Sequence, residues 1–286
     1  MKKIILILII GMVGPATLAD YSGINPFCNF KCESIPPLED SHQVNHEEGS
    51  PLITDMSYTL VTWNIYKGRK DNFEDSFFTL MADVDIAAIQ EHLGSTNIEK
   101  LYHDTISPLH SALGISFIFS GDMPTGVMNL SRWPIQNSQY FRTEDLEPFV
   151  KAPKGTIATV HDLPGVGQLL VVNIHGINFR RAAGLRRQLR QTEDLLTHHD
   201  GPIIYTGDFN TKNGTRLKET DEFLAKFGLQ RLEYENDQRR LVLDHVYVRG
   251  VQVTSQRLLD GYPGSDHPPI KITFQGGGKN ISNTQK

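Results

Sequence analysis

Six short stretches of this chain carry, where an apolar run ends or begins, residues that can handle a phosphate ester. Trp63 is followed by Asn64, Ile89 by Gln90-Glu91, and Asn173-Ile174 by His175. Tyr205-Thr206 runs into Gly207-Asp208-Phe209-Asn210, Leu243 into Asp244-His245, and Ser265-Asp266-His267 precedes a last apolar stretch. The carboxylates of Glu91 and Asp266 are hard oxygen donors, which suit Mg²⁺, Mn²⁺ or Ca²⁺ better than zinc. Mg²⁺ in particular needs few protein ligands, because it keeps waters and takes the substrate phosphate as a ligand. Asn64 and Asn210 can hydrogen-bond a phosphate or hold a water. Asp208 can orient or deprotonate an attacking water, and His175 and His267 can donate to phosphoryl oxygens as charge develops. Asp244 is the kind of group that orients an imidazole and raises its pKa. Any one of these stretches alone reads as a turn or a helix cap. Their succession along one chain gives the set its weight. His245 reads as structural, and His103, His198 and His199 read as surface residues.

Groups that finish a core strand are held rigidly yet face a cleft, so these stretches need strands behind them. Tyr58 to Trp63, Val84 to Ile89, Leu169 to Ile174, Ile203 to Thr206, Leu241 to Val248 and Ile270 to Phe274 supply strand-like runs. Asn72 to Met81, Ala182 to His198 and Asp221 to Phe227 have helical spacing of their apolar residues. Strands interleaved with helices predict an α/β or α+β domain whose sheets are partly covered by helices.

The limits of that domain follow from composition. Residues 1–19 read as a signal peptide: Lys2 and Lys3, an apolar run from Ile4 to Val13, then Thr17-Leu18-Ala19 before the cut. The run is about ten residues, too short to span a bilayer, which needs roughly 20. The expectation is therefore an exported protein, periplasmic or secreted, with no transmembrane segment after cleavage. In an oxidising compartment Cys28 and Cys32 are expected to close a small local disulfide, since neither a metal-ligand pattern nor C-x-x-C surrounds them. Residues 20–57 read as an extended N-terminal segment, 58–274 as one domain and 275–286 as a flexible tail. The net charge of −5 does not favour tight non-specific nucleic-acid binding. No stable protein partner is inferred, and a monomer is expected.

The ordered set Thr62-Trp63-Asn64, Gln90-Glu91, Asn173-Ile174-His175, Gly207-Asp208-Phe209-Asn210, Leu243-Asp244-His245 and Ser265-Asp266-His267 resembles the endonuclease/exonuclease/phosphatase superfamily. DNase I, abasic-site endonucleases, inositol polyphosphate phosphatases and neutral sphingomyelinases belong to it. Asn173 to Phe179, with Gly207 to Thr211 and Leu243 to Val246, looks like a poorly characterised bacterial branch. The resemblance implies a DNase I-like four-layer α/β/β/α sandwich of two packed mixed β-sheets. It implies Glu91 as principal metal ligand, with Asn64 and Asp266 assisting, and Mg²⁺ as the ion (Mn²⁺ or Ca²⁺ being the others). It implies that Asp208 aligns the nucleophilic water and Asn210 holds water or phosphate. His175 would contact the scissile phosphate, and His267, paired with Asp244, would act as base or stabiliser. One departure stands out. DNase I pairs the counterpart of His175 with a mid-chain glutamate, and Thr125 to Arg132 contains none.

Arg180, Arg181, Arg186 and Arg190 follow His175 closely, with Arg187 among them. Arg186 and Arg190 share a helical face. Beside the site they would contact a phosphate backbone; otherwise they form a solvated face balanced by Glu193 and Asp194. The leading expectation is a metal-dependent phosphodiester hydrolase acting on nucleic acid, DNA before RNA. A phosphatase or phosphodiesterase on small or lipid phosphates is the alternative. A non-catalytic binding module would have lost a ligand or base, and none of the set is missing.

Overall fold

The computed structural model describes residues 23–24, 31–49, 51, 56–148, 151–179, 181–235 and 237–277. The predicted signal peptide, Cys28 and Arg180 lie outside the described residues, and so does the expected Cys28–Cys32 bridge.

Strands in the first half are β1 (Gly23–Ile24), β2 (Lys31–Ser34), β3 (His42–Asn45), β4 (Tyr58–Asn64), β5 (Ile86–Leu93), β6 (His110–Phe119), β7 (Met123–Ser131) and β8 (Ile135–Arg142). Those in the second are β9 (Gly155–Leu163), β10 (Gly167–His175), β11 (Ile203–Asp208), β12 (Gln230–Arg231), β13 (Asp244–Arg249), β14 (Val251–Leu258) and β15 (Ile270–Gly276). The helices are α1 (Phe73–Met81), α2 (Thr96–Thr105), α3 (Ala182–Arg190), α4 (Glu193–His198) and α5 (Gly214–Ala225). One mixed sheet runs β1-β2-β6-β7-β5-β4-β15-β14, with β3 also on β6; the other runs β12-β13-β11-β10-β9-β8.

The layers follow from alternation along the central strands. In β4, Val61 and Trp63 pack outward with Phe73, Phe77 and Leu80 of α1 and with Ile98 and Tyr102 of α2. Its Leu60 faces the other way and joins Ile86, Leu169, Val171, Ile204, Val246 and Ile272 between the sheets. In β10, Leu170, Val172 and Ile174 pack against Leu185, Leu189, Phe223 and Leu224 of the helices on the second sheet. Helices therefore cover both outer faces, giving the four-layer α/β/β/α sandwich. Strands buried on both faces read as continuous apolar runs, which is why these were recognisable.

Near one end of the sandwich the inter-sheet layer turns polar. Gln90 Nε2 of the first sheet donates to Asn173 Oδ1 of the second at 2.7 Å. Asn173 Nδ2 returns bonds to the carbonyls of Ile89 at 3.0 Å and Met128 at 3.1 Å. Asn129 Nδ2 reaches across to Thr159 Oγ1 at 2.9 Å. Such directional bonds fix the sheets' relative position more tightly than apolar contact alone.

Four boundaries differ from the sequence reading. Residues 31–34 and 42–45 are strands of the first sheet, so part of the 20–57 segment belongs to the domain. The domain extends through Gly276 rather than Phe274, because β15 pairs Gln275 and Gly276 with β14. The single helix expected over 182–198 is two, since Gln191 N and Thr192 N bond three residues back and Thr192 Oγ1 takes the Leu189 carbonyl. The helix expected over 221–227 begins at Gly214, where Asn213 Oδ1 caps it by accepting from Arg216 N at 3.1 Å. Among the described residues no helix is long and apolar enough to cross a membrane.

Candidate active site

The second sheet delivers three polar groups at one level. Its register places His175 opposite Asp208 across β10 and β11, and Asp208 opposite Asp244 across β11 and β13. The close approach of β10 and β11 there requires Gly207: its φ is 132°, and a Cβ would stand 2.1 Å from the Ile174 carbonyl oxygen. In the first sheet Asn64 is level with Gln90. The register then shifts between Gln90 and His92, so Glu91 is the extra residue of a bulge. Bulges re-aim side chains beside active sites, and Glu91, at a φ of 56°, lines the cleft. The 265–267 loop is tied down by the first sheet: Trp63 Nε1 donates to the His267 carbonyl at 2.9 Å, and Ser265 Oγ to the Asn64 carbonyl at 2.6 Å.

These elements enclose a cleft of about 360 Å³ lined by Asn64, Lys67, Glu91, Lys154, His175, Asp208, Asn210 and His267, among others. Four of its lining residues, Lys67, Glu91, Phe179 and Asn210, have left-handed backbones with φ of 53–57°. Each such residue costs on the order of 1 kcal/mol or more, and strain of this kind collects at functional sites.

Asp208 is buried and held on both oxygens. Its Oδ1 accepts from Asn210 N at 2.8 Å; its Oδ2 accepts from Asn64 Nδ2 at 3.2 Å and Asn210 Nδ2 at 3.3 Å. Burial lifts its pKa above the usual carboxylate range, against the pull of the His267 charge. His267 Nδ1 lies 2.9 Å from Asp244 Oδ2 and 3.1 Å from Oδ1. Burial opposes charge on that ring, but Asp244, with Asp208 and Asp266 behind it, raises its pKa to about 10. His267 is thus an imidazolium at neutral pH. Among the described residues, Asp208, Asp244 and His267 form a group whose ligand-type atoms lie within 4.8 Å of one another.

Across the cleft, Lys67 Nζ sits 2.5 Å from Glu91 Oε2. Burial alone would raise the Glu91 pKa; Lys67, Lys154 and His175 hold it well below the usual range, so the carboxylate is ionised. His175 contacts Lys154 Nζ at 3.1 Å through Nε2. Burial first, and Lys154 next, push its pKa well below the ordinary imidazole value. His175 is therefore neutral, and its 3.6 Å approach to Asp208 is not an ion pair.

Asn64, Glu91, His175, Asp208, Asn210 and His267 converge on the cleft, with Asp244 behind His267. Asp266 does not: it is exposed, outside the lining, and near Ser265 Oγ at 3.4 Å. Nor do Arg181, Arg186 and Arg190, which are exposed. The face of α3 that turns inward carries Leu185, Gln188 and Leu189, and Arg186 pairs with Glu219 at 3.2 Å. Arg187 pairs with Asp145 at 2.6 Å. The charged neighbour in contact with His175 Nε2 is Lys154, with Glu147 at 3.7 Å from the ammonium. Sequence reasoning missed Lys67, Glu147, Lys154 and Lys212. Lys67 follows Asn64 by three residues and carried a signal by that adjacency; Glu147 and Lys154 lie in an irregular connection with no period to mark them.

Comparison with known proteins agrees with this geometry. Residues 61–267 match the model of the Endonuclease/Exonuclease/phosphatase family. A "UPF0294 protein" of Klebsiella pneumoniae (strain 342) is 30% identical over 235 residues, which is 80% of this chain and 86% of that protein. An endonuclease/exonuclease/phosphatase from Beutenbergia cavernae superposes with a TM-score of 0.61 at 18% identity, covering 78% of this chain and 72% of that one. The 2',3'-cyclic phosphatase ANGEL2 superposes with a TM-score of 0.59 at 13% identity, over 82% of this chain and 98% of its own. The chain belongs to the endonuclease/exonuclease/phosphatase family, whose members are phosphoric ester hydrolases.

Proposed function

We propose that this protein is a divalent-metal-dependent phosphodiester hydrolase of the cell exterior or periplasm, with nucleic acid as its substrate. The observation that carries the reading is a fixed, buried Asp208 facing the His267–Asp244 pair in a cleft that also holds an ionised Glu91. The family generally uses divalent ions. The donor set here fits one: the Glu91 carboxylate and the Asn64 amide oxygen would hold an ion such as Mg²⁺, which takes few protein ligands and keeps waters, with the Lys67 ammonium already on Glu91 as a competitor. When bound, such an ion supplies charge neutralisation on the phosphoryl oxygens.

The chain's own groups do the rest. Asp208, clamped by two amide side chains and a backbone N–H, orients a water for in-line attack on phosphorus. Burial raises its pKa above the usual carboxylate range, and as the unprotonated group facing the water it receives the water's proton as the P–O ester bond breaks. His267, already protonated, is not that base; its positive charge faces the phosphoryl group. Plasmid DNA, oligonucleotides and a panel of small and lipid phosphodiesters, each with Mg²⁺ or EDTA, test the reading. Expected is Mg²⁺-restored cleavage of DNA; turnover of none of them would sink it. The arginines standing off the cleft favour a second reading, a compact phosphodiester, which the same panel separates.

A further inference from the structure

Lysine has only N–H donors and no acceptor. In the 3.1 Å contact between Lys154 Nζ and His175 Nε2 the imidazole nitrogen must therefore accept. That places the ring proton on Nδ1 and commits the Nε2 lone pair to the ammonium. An Nε2 in this state offers nothing to a phosphoryl oxygen. The ammonium does: it spends one proton on His175 and has two more, and its other near neighbour, Glu147 Oε1, is at 3.7 Å. Glu147 is itself fixed, since the same oxygen accepts from Asn178 N at 2.9 Å. Lys154 lines the cleft beside Glu91, Asp208 and His267. If it served only to neutralise Glu147, its shorter contact would be to the carboxylate; instead it leans toward the imidazole.

We propose that Lys154 is the residue that donates to the substrate's phosphoryl oxygens in this cleft, and that His175 acts through it as a positioning acceptor rather than touching the phosphate. This rests on the phosphoesterase reading and names a catalytic group within it. No covalent step is involved: the ammonium stays protonated and meets charge that builds on oxygen as water attacks.

The test uses the full chain as wild type, Lys154→Met, Lys154→Arg, His175→Ala and the Lys154→Met/His175→Ala double variant, with thermal melts to confirm folding. Two quantities are read: affinity for inorganic phosphate by calorimetry, and turnover of bis(4-nitrophenyl) phosphate with Mg²⁺. Lys154→Met is expected to weaken phosphate binding about tenfold and lower turnover about 10²-fold, while Lys154→Arg, which keeps the charge, stays within about tenfold of wild type. Adding His175→Ala to Lys154→Met should cost less than about twofold more, because the two act as one unit. Phosphate affinity of Lys154→Met equal to that of wild type, including no binding by either, overturns the proposal. So does a full, multiplicative His175→Ala loss in the Lys154→Met background. If Lys154→Met does not fold, Lys154→Gln makes the same comparison with the charge removed. A wild type that binds phosphate but hydrolyses no ester sinks the phosphoesterase reading, and the phosphate titration still decides the role of Lys154.

Discussion

Both oxygens of Asp208 are already committed before any substrate arrives, one to a backbone N–H and one to two amides. The clamp divides the roles of its neighbours. Asp208→Asn keeps the shape, loses the base and sets an N–H₂ against two donors; turnover should fall by about 10²-fold or more. Asn64→Ala removes one of the two amides and leaves Asn210 holding the carboxylate, so its loss should be nearer tenfold, roughly 1.4 kcal/mol. Steady-state kinetics on folded variants checks the order, and equal losses would refute the clamp. Elsewhere, buried imidazoles govern acid stability. His161 and His92 are fully buried, and burial lowers their pKa values to about 4 and about 3. Unfolded, each takes a proton near 6.5. Below that pH the unfolded chain binds more protons than the folded one, so stability is complete above about 6.5 and is lost as pH falls toward 3–4. Urea midpoints should therefore be lower at about pH 5 than at about pH 7.5; an unchanged midpoint would contradict the burial of these rings.

At the scale of elements, legibility tracked burial. β4, β10 and β11 are covered on both faces and announced themselves as apolar runs ending in Asn64, His175 and Asp208. Thus Asn64, Glu91, His175, Asp208, Asn210, Asp244 and His267 could be picked out in advance. β7 could not: Pro124, Gly126 and Asn129 break its pattern, and the Asn129 amide nitrogen is received inside by Thr159 Oγ1 and the Val171 carbonyl of the opposite sheet. α2 was hidden by Asn97, Glu99, Lys100, His103 and Asp104, its solvent face, around the buried Ile98 and Tyr102. The Glu91 bulge and the Lys67 turn were illegible because local spacing does not encode a register shift. The cross-sheet amides make a sharp prediction. Asn173→Ala takes from Gln90 Nε2 the shortest of its three acceptors, leaving Thr62 Oγ1 and the Ala88 carbonyl, and takes a donor from two backbone carbonyls in a dry layer; it should cost about 2 kcal/mol, read from chemical denaturation. A loss within 0.5 kcal/mol, the usual range for a surface site, would mean the layer is not dry.

For the whole molecule, the net charge of −5 and the basic stretch after His175 pulled the sequence reading in opposite directions. The fold resolves this by spending Arg186 and Arg187 on Glu219 and Asp145, and by placing Lys67, Lys154 and Lys212 in the cleft instead. Positive charge is concentrated where a phosphate would sit. A cation held by the folded site and not by the unfolded chain stabilises by mass action, about 2.7 kcal/mol at a hundred times its dissociation constant. Mg²⁺ should raise the melting temperature of wild type, EDTA should reverse the rise, and Glu91→Ala should abolish it. A Glu91→Ala protein that responds to Mg²⁺ as wild type does would move the ion elsewhere.

The amide bridge between Gln90 and Asn173 also constrains descent. Either partner replaced alone costs the other one hydrogen bond, with Gln90 keeping Thr62 Oγ1 and the Ala88 carbonyl and Asn173 keeping the Ile89 and Met128 carbonyls, so the two positions are coupled in descent. Lineages that drift at one should show a matched apolar residue at the other, and mixed pairs should be rare among surviving relatives.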